Sequence, residues 1–252
     1  MSNTTDMTPT ELSIIGESIL KNNIKEFQKN IKEYNINIAN KHGNTLLHFA
    51  VFNNKYKIIT IILNNKEFTN INARNNMGDS ALHISCHMNL KDVTCLLLNS
   101  KYINVNILGS LGHTPLHIIC KHNYHDLCSL FFYYINKNKI NCNVNATDND
   151  NKTPLHYACI SNNPHIVRLI LEYKNTACNI NANINAKDDH NRTPLHYACI
   201  SNNANIVRIL LGYKKMICDK NIIDSNNKTP LMYSKIHSNY EITYLLSDFN
   251  KL

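Results

Sequence analysis

The sequence predicts an all-α solenoid, built of stacked helix-turn-helix units joined by β-turn loops. Three observations carry that expectation. The block Lys152 to Asn163 (KTPLHYACISNN) returns as Arg192 to Asn203 (RTPLHYACISNN), nearly letter for letter. Related blocks are anchored at Thr45, Ser80, Thr114, Thr153, Thr193 and Thr229, at intervals of 35, 34, 39, 40 and 36 residues. Each anchor is followed at 13, 16 and 17 residues by apolar side chains, as in Ile58/Ile61/Ile62 and Ile166/Leu169/Ile170. That i, i+3, i+4 spacing is one stripe of a helix. A single helix pair cannot bury such a stripe, so copies at this period are expected to stack.

Taken in order, residues 1–10 form a flexible polar start. Thr8-Pro9-Thr10-Glu11 has the layout of a capping box, with Thr as N-cap and Pro at the first helical position. Leu12, Ile15, Ile19 and Leu20 then give a first amphipathic helix. A break at Asn22-Asn23 precedes a second one through Phe27 and Ile31. This pair, 11–34, lacks the repeated block and reads as the polar end-cap that an array requires. Six units follow over 35–252, bounded at about 35–69, 70–103, 104–142, 143–182, 183–218 and 219–252.

Within a unit every slot has a physical reading. Asn stands eight residues before the anchor in all six copies: Asn37, Asn72, Asn106, Asn145, Asn185 and Asn221. Two residues before it come Gly43, Gly78 and Gly112, then Asn151, Asn191 and Asn227. Gly and Asn tolerate positive φ, so this slot predicts a left-handed turn position. The anchor hydroxyl is the expected N-cap, with Pro115, Pro154, Pro194 and Pro230 at the first helical position. Leu47, Leu82, Leu116, Leu155, Leu195 and Leu231 follow. A small residue three later (Ala50, Ser85, Ala158, Ala198, Ser234) allows close helix approach. Asn-rich breaks such as Asn53-Asn54 and Asn162-Asn163 end the first helix.

With turn, cap and core in phase, the chain resembles the ankyrin repeat, a β-turn and two antiparallel helices with a T-P-L-H-x-A signature and a period near 33. The resemblance covers roughly Asn35 to Leu246. Copy one has Leu46 for Pro, copy two Ala81, and copy six Met232 for His. The extra residues of the longer periods fall between the second helix and the next turn, so Asn136 to Asn143 and Asn175 to Asn183 are expected to be exposed loops.

Composition narrows the function classes. The 44 Asn residues occupy fixed repeat positions, which argues against a low-complexity tract. A net charge of +8 over 252 residues falls short of a nucleic-acid footprint. Nine Cys without a C-x-x-C, no apolar secretory segment and no bilayer-length apolar run predict an intracellular, reduced chain, cytoplasmic or also nuclear. The Asn bias of an AT-rich genome, together with a stand-alone array of this kind, suggests a virus, symbiont or parasite, in which case host cytoplasm and a host protein partner are expected.

His83/Cys86, His117/Cys120, His156/Cys159 and His196/Cys199 form H-x-x-C pairs that share a helix face and could each offer zinc two ligands. Against this, the resemblance implies a hydrogen-bonding role for the His, and Cys suits a small buried slot. The densest group is His117, Cys120, His122 and His125. No phosphate-binding loop, H-E-x-x-H or G-x-S-x-G is present, so neither an enzyme nor a cofactor is expected.

The resemblance implies that the turn tips and the exposed side of the first helices form a concave binding face. There the sequence places Tyr157, Tyr197 and Tyr233 beside Lys152, Arg192 and Lys228, with Asp150, Asp189 and His190 at the tips. Tyr and Arg are enriched at interface hot spots. The expectation is a monomeric adaptor or inhibitor that docks another protein, with an acidic or phosphorylated segment meeting the cations. The rivals are an inhibitor-of-kappa-B-like regulator and a binder of nucleic acid or anionic phospholipid.

Overall fold

The computed structural model describes residues 9–173 and 181–248, with side chains from 13 to 247. Residues 1–8 of the polar start, the side chains of the expected capping box and most of the second extended loop lie outside them. Among the described residues the regular structure is helical, apart from one isolated antiparallel bridge, Ala39 to Thr45. No helix among them is long and apolar enough to cross a membrane.

The chain divides into two compact units, Met1–Ser110 and Leu111–Leu252. The first holds α1 (Pro9–Leu20), α2 (Ile24–Glu33), α3 (Leu46–Phe52), α4 (Tyr56–Asn64), α5 (Ala81–His87) and α6 (Lys91–Leu98). Its first helices pack as a row, α1 on α3 on α5, and α2, α4 and α6 form a second row behind them. The second unit holds α7 (Pro115–Lys121), α8 (His125–Lys137), α9 (Pro154–Ile160), α10 (Pro164–Glu172), α11 (Pro194–Ile200), α12 (Ala204–Leu211), α13 (Pro230–Ile236) and α14 (Tyr240–Asp248). Here α7, α9, α11 and α13 make the inner row, and α8, α10, α12 and α14 the outer row.

Each seven-residue inner helix is too short to persist alone, so its ends are held chemically. Thr45, Ser80, Thr114, Thr153, Thr193 and Thr229 are the N-caps of the six, and the four Pro residues take the first helical position. The turn slot is left-handed in every copy: Gly43, Gly78 and Gly112 at φ 72, 92 and 75°, Asn151, Asn191 and Asn227 at φ 58, 55 and 56°. A second left-handed position, Asn54, Asn89, Asn123, Asn162, Asn202 and Ser238, turns the chain from inner to outer helix. Leu47, Leu82, Leu116, Leu155 and Leu195 are at most 1% exposed. Burial of each stabilises by about 2 kcal/mol.

Two core expectations need correction. The outer-helix stripe is buried at anchor plus 13, 14 and 17, not 13, 16 and 17. Ile61, Leu96, Leu130, Leu169 and Ile209 are only half-buried, whereas Ile59, Thr94, Cys128, Val167 and Val207 are covered. Outer helices pack against neighbours on two sides, so the stripe turns towards the adjacent copy. Thr94 fits because its hydroxyl donates to Ser85 Oγ at 3.0 Å. In the last copy Leu245 at plus 16 is buried and Thr243 is half-buried. The first long extension is also not simply a loop. Its residues lengthen α8 to 13 residues, and Cys142 and Val144 return to the core.

Candidate functional site

The turns are joined by three hydrogen-bond systems. In the first, the signature His sits at the third helical position and is almost fully buried. His156 Nδ1 accepts from the Thr153 N–H at 3.0 Å and lies 2.9 Å from the Thr153 hydroxyl, while its Nε2 lies 3.1 Å from the Arg192 carbonyl of the next copy. His48 reaches Asp79 O, His83 Ile107 O, His117 Lys152 O and His196 Lys228 O in the same way. Because Nδ1 must accept, the proton belongs on Nε2, where it donates to the carbonyl. The ring is therefore neutral. Burial, opposed by the Nε2 hydrogen bond and the nearby Asp148 or Asp188, holds His117 and His156 down at about 4. Burial also lowers His48 and His196.

The second system explains four of the six Asn residues that stand eight before an anchor. Asn145 Nδ2 donates to the Asn181 carbonyl at 2.8 Å and its Oδ1 accepts from the Asn183 N–H at 2.7 Å. Asn37, Asn72 and Asn185 make the same two bonds to the copy that follows them. An amide side chain alone offers a donor and an acceptor with this reach.

The third system lies on the face expected to bind a partner. Tyr157, Tyr197 and Tyr233 donate their hydroxyls to Asp148, Asp188 and Asp224 at 2.6, 2.5 and 2.5 Å. Each Asp also accepts two backbone N–H bonds in its own turn, as Asp224 does from Asn226 and Lys228. Burial works against the Asp224 charge, but the bonds from Tyr233, Lys228, Arg192 and Asn226 outweigh it and hold the carboxyl at about 2. Burial and the facing carboxylates push the Tyr157 and Tyr197 hydroxyls up.

Cations from the same and the preceding turn close the set. Arg192 Nε donates to Asp224 Oδ2 and its Nη2 to the Tyr233 hydroxyl, both at 3.2 Å, while its guanidinium stands 6.0 and 5.8 Å from the Tyr197 and Tyr233 rings. Lys228 Nζ lies 5.4 Å from the Tyr233 ring centre, and Lys152 pairs with Asp150 at 3.0 Å. In the third copy His113 takes this place, 3.4 Å from Asp148.

The nine residues singled out in the sequence thus divide in two. Tyr157 and Tyr233 are under a tenth exposed, and Tyr197, Lys152, Arg192 and Lys228 are half-buried. Asp150, Asp189 and His190 are exposed at the tips. There Asp189 N–H donates to the Asp150 carbonyl, and its Oδ1 accepts from Asn151 Nδ2 at 2.6 Å.

Sequence reasoning overlooked the partners of the Tyr residues. Asp148, Asp188 and Asp224 stand nine residues before the three Tyr residues, whereas copies without Tyr carry Asn40, Asn75 or Gly109 in that slot. That internal covariation was legible. Gly109 has its own cause, since a Cβ there would meet the His83 ring at 2.7 Å. Also overlooked were Ile160, Ile200 and Ile236, three residues beyond the Tyr residues and hence on the same helix face. Ile160 and Ile236 are 41% and 58% exposed, and Ile200 is half-buried.

Among the described residues no three His, Cys, Asp or Glu side chains are arranged to hold a metal ion. In the His117 group, His117 has both ring nitrogens engaged, Cys120 is buried, His122 stacks on Tyr124, and His125 pairs with Asp126.

The family model for ankyrin repeats matches the chain in three copies, at residues 17–109, 103–188 and 176–251. Among solved structures, the chain is similar to the ankyrin repeat domain of Bcl-3, described as a unique member of the IkappaB protein family. The TM-score is 0.74 at 19% identity, over 92% of this chain and 97% of that one. No curated protein sequence matches the chain.

Proposed function

The chain belongs to the ankyrin repeat family, and from that premise we propose that it is a non-catalytic adaptor or inhibitor whose second unit docks another protein on its turn-and-helix face. The observation that supports this most is the row of Ile160, Ile200 and Ile236 at equivalent positions of successive inner helices, the first and last exposed and the middle one half-buried, directly beside the Tyr and cation set. Tyr157, Tyr197, Tyr233, Lys152, Arg192 and Lys228 form the rigid floor beside it. Asp150, Asp189 and His190 form its rim. A floor fixed by charge-assisted bonds loses little freedom on binding.

The spacing suits a helical partner. Packed helices lie about 8–10 Å apart, and seven residues of a helix rise about 10 Å. An amphipathic helix with an aliphatic residue at every seventh position would meet the three Ile residues in register. An acidic or phosphorylated segment would find Lys121 and Lys235 exposed at the far ends of α7 and α13. Arg192 is already engaged by Asp224, so the rim acids favour basic groups on the partner's tip side.

Retention of partners from a lysate by the native chain and by an Ile160→Glu/Ile200→Glu/Ile236→Glu variant tests this. Ile160 and Ile236 are exposed and Ile200 is half-buried, so the variant is first matched to the native chain by circular dichroism, and specific partners should then be lost. An unchanged set would remove the face from the account. An inhibitor-of-kappa-B-like role is the narrower alternative, motivated by the Bcl-3 likeness. Binding to nucleic acid or anionic phospholipid would show itself by a steep fall in affinity with salt.

A further inference from the structure

A second site stands on the outer row of the second unit, and its argument is independent of the inner face. Arg168 on α10, Arg208 on α12, and Lys214 and Lys215 just beyond α12 ring a cleft of about 570 Å³. Leu171, Ile209 and Gly212 contribute to its lining, and Glu172 is the acid among the lining residues. Arg208 is bonded to Glu241 of the next outer helix. Arg168, Lys214 and Lys215 have no ion-pair partner among the described residues, and all four cations are exposed. Like charges gathered round one concavity repel each other and focus a positive potential into it.

Tyr213, at the same cleft, supplies the second observation. Its hydroxyl is enclosed and has no hydrogen-bond partner. Elsewhere in this unit Tyr157, Tyr197 and Tyr233 all satisfy their hydroxyls with a carboxylate. A buried hydroxyl left unpaired is costly and calls for an explanation. The hydroxyl is closed off as the ring stands, so a turn of the Tyr213 side chain towards the cleft that it lines would bring it to an acceptor oxygen of a ligand that also neutralises the cations.

We propose that the Arg168–Arg208–Tyr213–Lys214–Lys215 cleft binds a small soluble molecule bearing phosphoryl groups. Arg168 offers a planar fork suited to phosphate oxygens, Arg208, held by Glu241, adds charge beside it, the two Lys residues add mobile point charges, and Tyr213, once turned to the cleft, donates the one neutral hydrogen bond. Leu171 and Ile209 give the body of the ligand an apolar rest.

Calorimetric titration of the full chain with inositol hexakisphosphate and with pyrophosphate, at 0.15 M salt, tests the assignment. Saturable one-to-one binding is expected. Lys214→Gln/Lys215→Gln should weaken it by about tenfold or more. Tyr213→Phe, which leaves the charge unchanged and removes an unpaired group, should weaken it about fivefold. Lys25→Gln/Lys29→Gln, an equal loss of charge on α2, should stay within about twofold. The assignment is overturned if no saturable binding appears, if the two Lys pairs weaken it equally, or if Tyr213→Phe changes nothing. Binding to phosphoinositide vesicles without binding to either soluble probe would overturn it as well.

Discussion

Mild acid should dismantle this protein from its inter-repeat histidines. His117 and His156 are neutral when folded, with ordinary values of 6.5 lowered to about 4 by burial. Between those two pH values the unfolded chain binds protons that the folded chain refuses, so stability must fall as pH falls. The stabilisation is fully present above pH 6.5 and has been lost by about pH 4. Each His carries about 3 kcal/mol across that window, with a slope near 1.4 kcal/mol per pH unit. His48 and His196 add to it with the same sign. Carboxylates such as Asp224, held at about 2, act only at lower pH. The assay is urea unfolding by circular dichroism at half-unit steps from pH 7.5 to 4.5. His156→Gln should lower stability at pH 7 and reduce the slope by about one proton, or about 1.4 kcal/mol per unit. A stability flat between pH 6.5 and 4.5, or an unchanged slope in His156→Gln, would refute the neutral-ring reasoning.

Other perturbations separate the remaining bonds. Asn145→Ala removes both amide contacts to the next copy and should cost about 2 kcal/mol in urea unfolding. At Asn191, φ 55°, Gly should be tolerated, whereas Val should cost about 1–2 kcal/mol in the same assay. Tyr197→Phe takes one charge-assisted bond from Asp188 and should cost about 2 kcal/mol. Asp224→Asn loosens Arg192 as well as Tyr233, and should destabilise more than Tyr197→Phe by thermal unfolding.

Much of this was legible in the sequence because the repeat prints each constraint six times. Gly or Asn two before the anchor reports a backbone angle, Thr or Ser reports a helix end, and Pro reports a free N–H. The His role could not be derived from one copy, since its second bond reaches a carbonyl 24 to 36 residues away. The outer stripe was misread for a similar reason. Helical periodicity says which residues share a face, but the tilt of that face depends on the neighbouring copy, and Thr94 and Cys128 disguise the buried position. The Tyr residues were read as hot spots because of their type, while the Asp nine residues earlier, which fixes their hydroxyls, was passed over. Ile160, Ile200 and Ile236 resemble core residues by composition, and only their exposure sets them apart.

The central claim is that the inner-helix row of the second unit holds a protein partner. A photo-crosslinking amino acid placed at Ile200, and in a parallel variant at Tyr133 on outer helix α8, compares the two faces directly in the cell of origin. The account predicts a discrete adduct from position 200 that is absent from position 133 and lost in an Ile160→Glu/Ile236→Glu background. Equal adducts from both positions, or none from position 200 while 133 crosslinks, would contradict it.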